Sequence, residues 1–160
     1  MQVLMNSPDE LMVLSLYQKL LRSWNNNNAE EFASIFAMEG NVIGFDGSQM
    51  NGREEINKQI RGIFQNHKVS SYISIVREIR PLSPDIFLLR AVSGMVPPGK
   101  KDIIPEVNAI QSVIAQRHKD DFLISLFQNT PAAFHERPEL SQQLTDELRQ
   151  VLSKEGIQLT

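Results

Sequence analysis

Apolar residues recur at helical spacing at the start of the chain. Ser7 is a suitable N-cap, Pro8 fits a first helical turn, and Glu10 stands where a capping box requires an acid. The apolar residues that follow predict a helix with one broad buried face: Leu11, Val13, Leu14, Tyr17, Leu20, Leu21 and Trp24. The asparagines 25–28 end this helix.

A second helix is predicted directly after the asparagines. Asn28 can cap it, because Glu31 lies three residues further on. Phe32, Ile35 and Phe36 would form its inner stripe, and Gly40 would end it.

The hydrophobic period then changes to that of a small hairpin. Asp46-Gly47 is a dipeptide favoured in tight turns because it tolerates positive φ, so the residues on both sides are predicted to be short strands. A third helix follows from the segment 51–54, with an apolar stripe at helical spacing: Ile56, Ile60, Ile63 and Phe64.

The second half of the chain is predicted to form four long strands. They are expected at 69–80, 86–96, 105–118 and 122–129, with the segment 97–104 as an exposed hairpin tip. In the first strand one face would carry Val69, Ile73, Ile75 and Ile79. Short turns between the strands indicate an antiparallel meander.

A last helix begins at Pro138. Its stripe of Leu140, Leu144 and Leu148 must pack on the sheet or on a partner subunit. Helices grouped before and after the strands indicate an α+β fold in which the helices cover one face of the sheet. The 160 residues are expected to form a single domain, with a core at about 8–136 and the C-terminal helix at about 138–154.

Composition excludes several classes of protein. The net charge of −3 gives no electrostatic footprint for nucleic acid, and the absence of cysteine excludes thiolate chemistry and disulfides. No signal peptide and no apolar run of membrane-spanning length is present, so we expect a cytoplasmic protein with no membrane partner. No dinucleotide fingerprint and no histidine pair at ligand spacing occurs, so we expect no cofactor and no metal.

Two segments carry a family resemblance. The order of elements resembles the cone-shaped fold of the nuclear transport factor two-like, or SnoaL-like, superfamily, which includes ketosteroid isomerases, cyclases and scytalone dehydratases. Within it, "NGREEI" (51–56) and "LFQNTPAAFHERPELSQQLTDEL" (126–148) look like the SgcJ/EcaC family, although Phe122 stands where that family usually has tryptophan. The resemblance implies a curved antiparallel sheet wrapped around the N-terminal helices, a cavity at the wide end, and a homodimer formed through the outer sheet face.

Acid–base chemistry has little support in the sequence. An isomerase of this superfamily needs a buried carboxylate, yet most aspartates lie at predicted turns. Glu78 and Glu106 lie within strands but share their phase with polar residues, which favours the solvent face.

Polar residues within the strands are the candidates for a pocket. Gln128 and Asn129 end the last strand on opposite phases, so one of them must face inward, either to bond the backbone or to line the cavity. Arg90 would lie on the outer face, or inward as a clamp for an anion. The predicted ligand-binding residues are Tyr17, Trp24, Arg90, Asn108 and Asn129, with His135, whose alternative role is structural, at the mouth.

Two functions follow as hypotheses. One is a small-molecule-binding protein with an apolar pocket, which as an enzyme would be a cofactor-free cyclase, isomerase or dehydratase acting on a polyketide-like or other apolar metabolite. The other is a non-catalytic dimeric binding or scaffold module with a vestigial cavity.

Overall fold

A computed structural model of the chain describes residues 7–159. It contains four α-helices, one short 3-10 helix at Pro105–Val107, and six strands. The helices are α1 (Pro8–Asn25), α2 (Ala29–Ser34), α3 (Arg53–Asn66) and α4 (Pro138–Glu155). The strands are β1 (Phe36–Ile43), β2 (Gln49–Asn51), β3 (Ser71–Ser83), β4 (Ile86–Val96), β5 (Ala109–His118) and β6 (Asp121–Pro131).

The predicted starts of the first two helices are confirmed. The Ser7 side chain accepts a hydrogen bond from the Glu10 amide at 3.1 Å, and the Asn28 side chain accepts one from the Glu31 amide at 3.0 Å. Each bond satisfies an amide that has no partner within its helix.

The predicted end of the second helix at Gly40 is wrong. The helix stops at Ser34, and the chain continues from Phe36 as strand β1. Gly40 lies inside that strand, where an added Cβ would stand 2.8 Å from the carbonyl oxygen of Ile124 on β6. Glycine is therefore required by a close approach of two strands and does not mark a helix end.

The six strands form one mixed sheet in the order β2-β1-β6-β5-β4-β3. β3 to β6 form the predicted antiparallel meander, and β1 and β2 form the predicted hairpin, with Gly47 at φ +91° in the turn. β1 joins β6 in parallel, which makes this the one parallel pair among the described strands. The α+β cone predicted from the sequence is confirmed.

A bulge in β3 changes which of its residues face together. The register shifts between Val76 and Glu78, so Ile73 and Ile75 face one side of the sheet whereas Ile79 faces the other. The predicted common face of these isoleucines is thus divided, because an extra residue reverses the alternation.

Helices cover both faces of the sheet, which corrects the prediction that they cover one. α1, α2 and α3 pack on the concave face, where the larger core includes Leu20, Phe36 and Ile124. α4 packs on the convex face of β3 and β4, where Leu144 and Leu148 contact a second, smaller core. Two residues of the predicted leucine stripe, Leu144 and Leu148, are therefore buried against this chain's own sheet, whereas Leu140 is half-buried.

Candidate functional site

Three polar side chains form a chain of hydrogen bonds on the concave face. The Tyr17 hydroxyl on α1 donates to Gln111 Oε1 on β5 at 2.5 Å, and Gln111 Nε2 donates to Asn129 Oδ1 on β6 at 2.8 Å. Tyr17 and Gln111 are fully buried, and Asn129 is 8% exposed. Strand alternation aligns Gln111 and Asn129 as direct cross-strand neighbours.

The two tyrosines of this region are held neutral. Burial raises the pKa of the Tyr17 hydroxyl far above its usual value, and a hydrogen bond from Ser74 lowers it only in part. Burial likewise raises the pKa of Tyr72 to about 12, against a smaller lowering by its hydrogen bond with Asn129. Both hydroxyls therefore remain proton donors at neutral pH and carry no charge.

A groove of about 700 Å³ opens beside this network. It runs between α1 and strand β3 and is closed on the far side by the end of α4 and the segment after it. Its walls are partly apolar, with Leu14 and Leu21 from α1 and Val151 from α4, while Tyr17, Tyr72 and Ser74 connect it to the hydrogen-bonded network. Arg22 and Glu155 also line it. Its size is within the usual range of small-molecule sites.

Asn25 lines the groove and bonds two of the segments around it. Its Oδ1 accepts from the Tyr72 amide at 2.7 Å, and its Nδ2 donates to the Tyr72 carbonyl at 3.2 Å and to the Gln158 carbonyl at 3.0 Å. One carboxamide thus joins the end of α1, the start of β3 and the C-terminal segment. The sequence indicated only a helix end here.

Trp24 lies next to this region but belongs to an aromatic cluster. Its ring packs against Phe32, Phe64 and Tyr72 at centroid distances of 6.1, 5.2 and 5.6 Å, and its Nε1 donates to the Ser70 carbonyl at 2.9 Å. Trp24 therefore supports Tyr72 and is not among the residues that line the groove.

Of the six predicted site residues, the structure brings two together, places Trp24 in the adjacent aromatic cluster and places the other three elsewhere. Gln111 bonds both Tyr17 and Asn129. Of the two amides that end the last strand, Asn129 therefore faces inward, and Gln128 faces the convex side beside Ser112. Asn108 lies on the convex side, where its Nδ2 donates to Thr145 Oγ1 of α4 at 3.0 Å.

Arg90 and His135 are also distant from the groove. Arg90 is exposed on the convex face, where it pairs with Glu78 at 2.5 Å, because its phase along β4 opposes that of buried Leu89 and Ala91. The His135 side chain is 91% exposed in the loop before α4, and its nearest charged partner is Glu136 at 3.9 Å.

Sequence reasoning missed Gln111, Ser74 and Asn25. Gln111 could have been found, since it is the polar residue of β5 whose phase matches buried Val113 and Ala115. Ser74 and Asn25 carry no such pattern, because their roles depend on which helix lies over the edge of the sheet. Ser93, opposite Ser74, has a fully buried hydroxyl without a hydrogen-bond partner in residues 7–159.

The acidic candidate Glu78 lies outside the concave face. Glu78 bonds Arg90 and Arg80 on the convex side, and hydrogen bonds from Arg90 lower its pKa. Within residues 7–159, no group of three or more histidine, aspartate or glutamate side chains is placed to hold a metal ion. No helix of that range combines the length and the apolar character needed to cross a bilayer.

Solved structures show the same fold. A domain of unknown function with a cystatin-like fold from Nostoc punctiforme is 20% identical, with a TM-score of 0.76, and the match covers 94% of this chain and all of that one. An NTF-2 like protein from Shewanella oneidensis is 13% identical, covering 74% and 95% of the two chains at a TM-score of 0.61. A ketosteroid isomerase-like protein from Erwinia carotovora atroseptica is 9% identical, covering 79% and 98% at 0.62.

These similarities establish the fold alone, because sequence identities this low do not show a shared function. The chain has the cystatin-like, nuclear transport factor two-like α+β cone. No protein-family model and no curated protein sequence matches the chain.

Proposed function

We propose that this protein binds a small organic molecule in the groove between α1, β3 and the C-terminal segment. The observation that carries the proposal is the groove itself, a space of about 700 Å³ lined both by apolar side chains and by residues that bear hydroxyl groups. Such a combination favours a ligand with an apolar body and a few hydrogen-bonding groups. Among the predicted site residues, Tyr17 and Asn129 belong to this proposal.

The neutral tyrosines define what the site can offer a ligand. Tyr17 already donates its one proton to Gln111, so Tyr72 is the tyrosine that can donate a hydrogen bond to a carbonyl or hydroxyl oxygen of a ligand. With raised pKa values, neither hydroxyl can serve as an anionic base at neutral pH. The resemblance to the SgcJ/EcaC family points to cyclisation, isomerisation or dehydration without a cofactor. The residues of the network support such a reaction only through positioning and polarisation of the ligand.

A dye titration tests the groove. Anilinonaphthalene sulfonate is the probe, and Gln18→Trp, which adds bulk at an exposed groove residue, is the variant. Lys19→Trp is the matched control, because Lys19 is the next exposed residue of α1 but does not line the groove. We expect one equivalent of dye to bind, and Gln18→Trp to weaken it about tenfold while Lys19→Trp leaves it unchanged. Equal affinity in both variants would overturn the proposal.

We also propose that a second copy of the chain packs on the part of the convex face that α4 leaves exposed. Within residues 7–159, α4 packs on β3 and β4 and leaves Ile110 on β5 37% exposed, with half-buried Ile114 and its cross-strand neighbour Leu126 on the same face. The family that the sequence resembles commonly forms dimers through this face. This observation favours the second candidate function, a dimeric binding or scaffold module.

Sedimentation velocity tests the dimer. Ile110→Glu would place a charge in the centre of the proposed interface, and Leu82→Glu is the control, because Leu82 is 54% exposed but lies at the far end of β3. We expect the wild type and Leu82→Glu to sediment as dimers and Ile110→Glu as a monomer. A monomeric wild type at about 50 μM would contradict the proposed interface.

A further inference from the structure

Strand β3 is an edge of the sheet formed by residues 7–159. Among the strands of this range β3 pairs with β4 alone, so every second residue directs its amide and carbonyl away from the sheet. Tyr72 is one of these residues, because both of its backbone groups bond the Asn25 side chain. By alternation, Ser74 and Val76 are the next two.

The outward groups of Ser74 and Val76 face the groove. The groove is lined by five consecutive residues, Tyr72–Val76, which include side chains of both sheet faces. The groove can contact side chains of both sheet faces only if it lies against the edge of β3, so the backbone of this strand forms its floor. Within residues 7–159, no second strand and no side chain bonds these two outward amides and carbonyls.

We propose that the ligand of the groove is an extended chain of amide groups, a short peptide or a peptide-like molecule that pairs with β3 at Ser74 and Val76. This inference rests on the proposed function, because it takes the groove as the ligand site. Two residues along a strand span about 7 Å, and an amide chain repeats its donors and acceptors at that distance. A polyketide chain offers carbonyl acceptors at intervals but lacks the amide donors that the Ser74 and Val76 carbonyls require.

The surroundings limit the length and the side chains of this ligand. Asn25 already occupies the pairing position at Tyr72, and the register of β3 shifts after Val76, so about four ligand residues can pair. Alternate side chains of a strand point to opposite sides. One set would meet Leu14 and Leu21 of α1 and the other Val151 of α4, which favours apolar residues on both sides.

Amide hydrogen exchange followed by NMR tests this pairing. The probe is acetyl-valyl-leucyl-valyl-leucine amide, and its control is the same peptide N-methylated at the amides that would face β3. In the free protein we expect Ser74 and Val76 to exchange faster than Ile73 and Ile75, which bond β4. The parent peptide should slow exchange at Ser74 and Val76 about tenfold, and the methylated peptide should not.

A pair of variants tests the same contact from the protein side. Ser74→Pro removes the amide that faces the groove without removing a bond to β4, and edge strands tolerate proline at such positions. Ser74→Ala is the control, because it loses the same hydroxyl but keeps the amide. We expect Ser74→Pro to bind the parent peptide about tenfold more weakly than Ser74→Ala. Should the proline variant fail to fold, the two peptides on the wild-type protein still decide the matter.

The outcomes separate this inference from the proposed function. Equal binding of the two peptides, no binding of the parent peptide up to about 5 mM, or no protection at Ser74 and Val76 would overturn the amide-chain ligand. If the dye still distinguishes Gln18→Trp from Lys19→Trp in that case, the groove remains a ligand site of another chemistry. Selective binding of the parent peptide with protection at both amides supports the inference.

Discussion

Two buried carboxamides, Gln111 on β5 and Asn108 directly before that strand, lie on opposite faces of the sheet and differ in how fully their hydrogen bonds are satisfied. Gln111, on the concave face, accepts from Tyr17 and donates to Asn129. Asn108, on the convex face, donates to Thr145, but its Oδ1 has no hydrogen-bond partner in residues 7–159. One amide belongs to a connected network beside the groove, and the other is half satisfied beneath α4.

The two clusters therefore differ in kind: the Gln111 cluster is a fully bonded polar network, whereas the Asn108–Thr145 pair is a single bond that leaves one buried oxygen unsatisfied within residues 7–159. A buried polar group costs free energy unless its partners are present, so a connected network is retained or lost as a unit. A half-satisfied pair can be replaced by apolar groups with little loss. We therefore expect the concave face to tolerate substitution poorly and the convex face to tolerate it well.

The largest expected effect comes from Gln111→Leu. This change leaves the Tyr17 hydroxyl and the Asn129 carboxamide buried without their partner, so the free energy of unfolding should fall by about 3 kcal/mol. Urea denaturation measures the loss. Gln116→Leu, at an exposed position of the same strand, is the control and should change stability by less than about 0.5 kcal/mol. Similar small losses in both variants would mean that the concave network is not cooperative.

The pH dependence of stability should reveal the neutral tyrosines. Because the pKa of Tyr72 is raised to about 12 in the folded protein, its contribution is present below pH 10 and is lost as the pH rises through about 12. The raised pKa of Tyr17 acts in the same direction. Each tyrosine should lower the unfolding free energy by about 1.4 kcal/mol per pH unit between these values.

Tyr72→Phe provides the control for this measurement, because lysines also titrate above pH 10. Its unfolding free energy should fall less steeply between about pH 10 and 12 than that of the wild type. Parallel curves for the two proteins would show that Tyr72 titrates normally in the folded state.

A smaller effect is expected on the convex face. Thr145→Val leaves the Asn108 carboxamide without its remaining side-chain partner and should cost about 1 kcal/mol. The double variant Asn108→Leu/Thr145→Val removes both polar groups and should return the stability to within about 0.5 kcal/mol of the wild type. Thermal or urea unfolding checks both. Additive losses in the double variant would show that the pair is not replaceable.

The smallest expected effect is that of Arg90→Ala. Arg90 is exposed, and its ion pair with Glu78 lies in solvent on the convex face, so stability should change by less than about 1 kcal/mol. Affinity for the groove ligand should not change at all, which a titration of the variant with anilinonaphthalene sulfonate measures. A clear loss of affinity would return Arg90 to the site.

Much of the fold could be predicted from local patterns. Ser7 and Asn28 have the side chains that cap helices, Asp46-Gly47 supplies the turn of the hairpin, and alternating apolar residues mark β3 to β6. Tyr17 and Asn129 of the candidate site could also be predicted, because the helical and strand periods of the sequence indicate which residues face inward. Each of these features depends on residues close in sequence.

The remainder depended on contacts between distant segments. A helix continued to Gly40 and a strand both fit the residues around Phe36, and it is the pairing of β1 with β6, with Gly40 close to Ile124, that gives the strand. The bulge after Val76 reverses the face of Ile79, and no local pattern announces it. The faces of Arg90 and Asn108 likewise follow from where α1 and α4 pack.

By itself, then, the sequence determined the elements, the meander and the amphipathic character of each segment, because capping, turn chemistry and periodicity act over a few residues. The tertiary structure decided that Asn25 would close one end of the β3 edge and that Gln111 would join Tyr17 to Asn129. Tyr17 and Gln111 are 94 positions apart in the sequence, and Asn25 and Tyr72 are 47 apart. Gln111 and Asn129, which lie on neighbouring strands, are 18 apart. Only the folded sheet, with α1 laid across it, brings them within hydrogen-bonding distance.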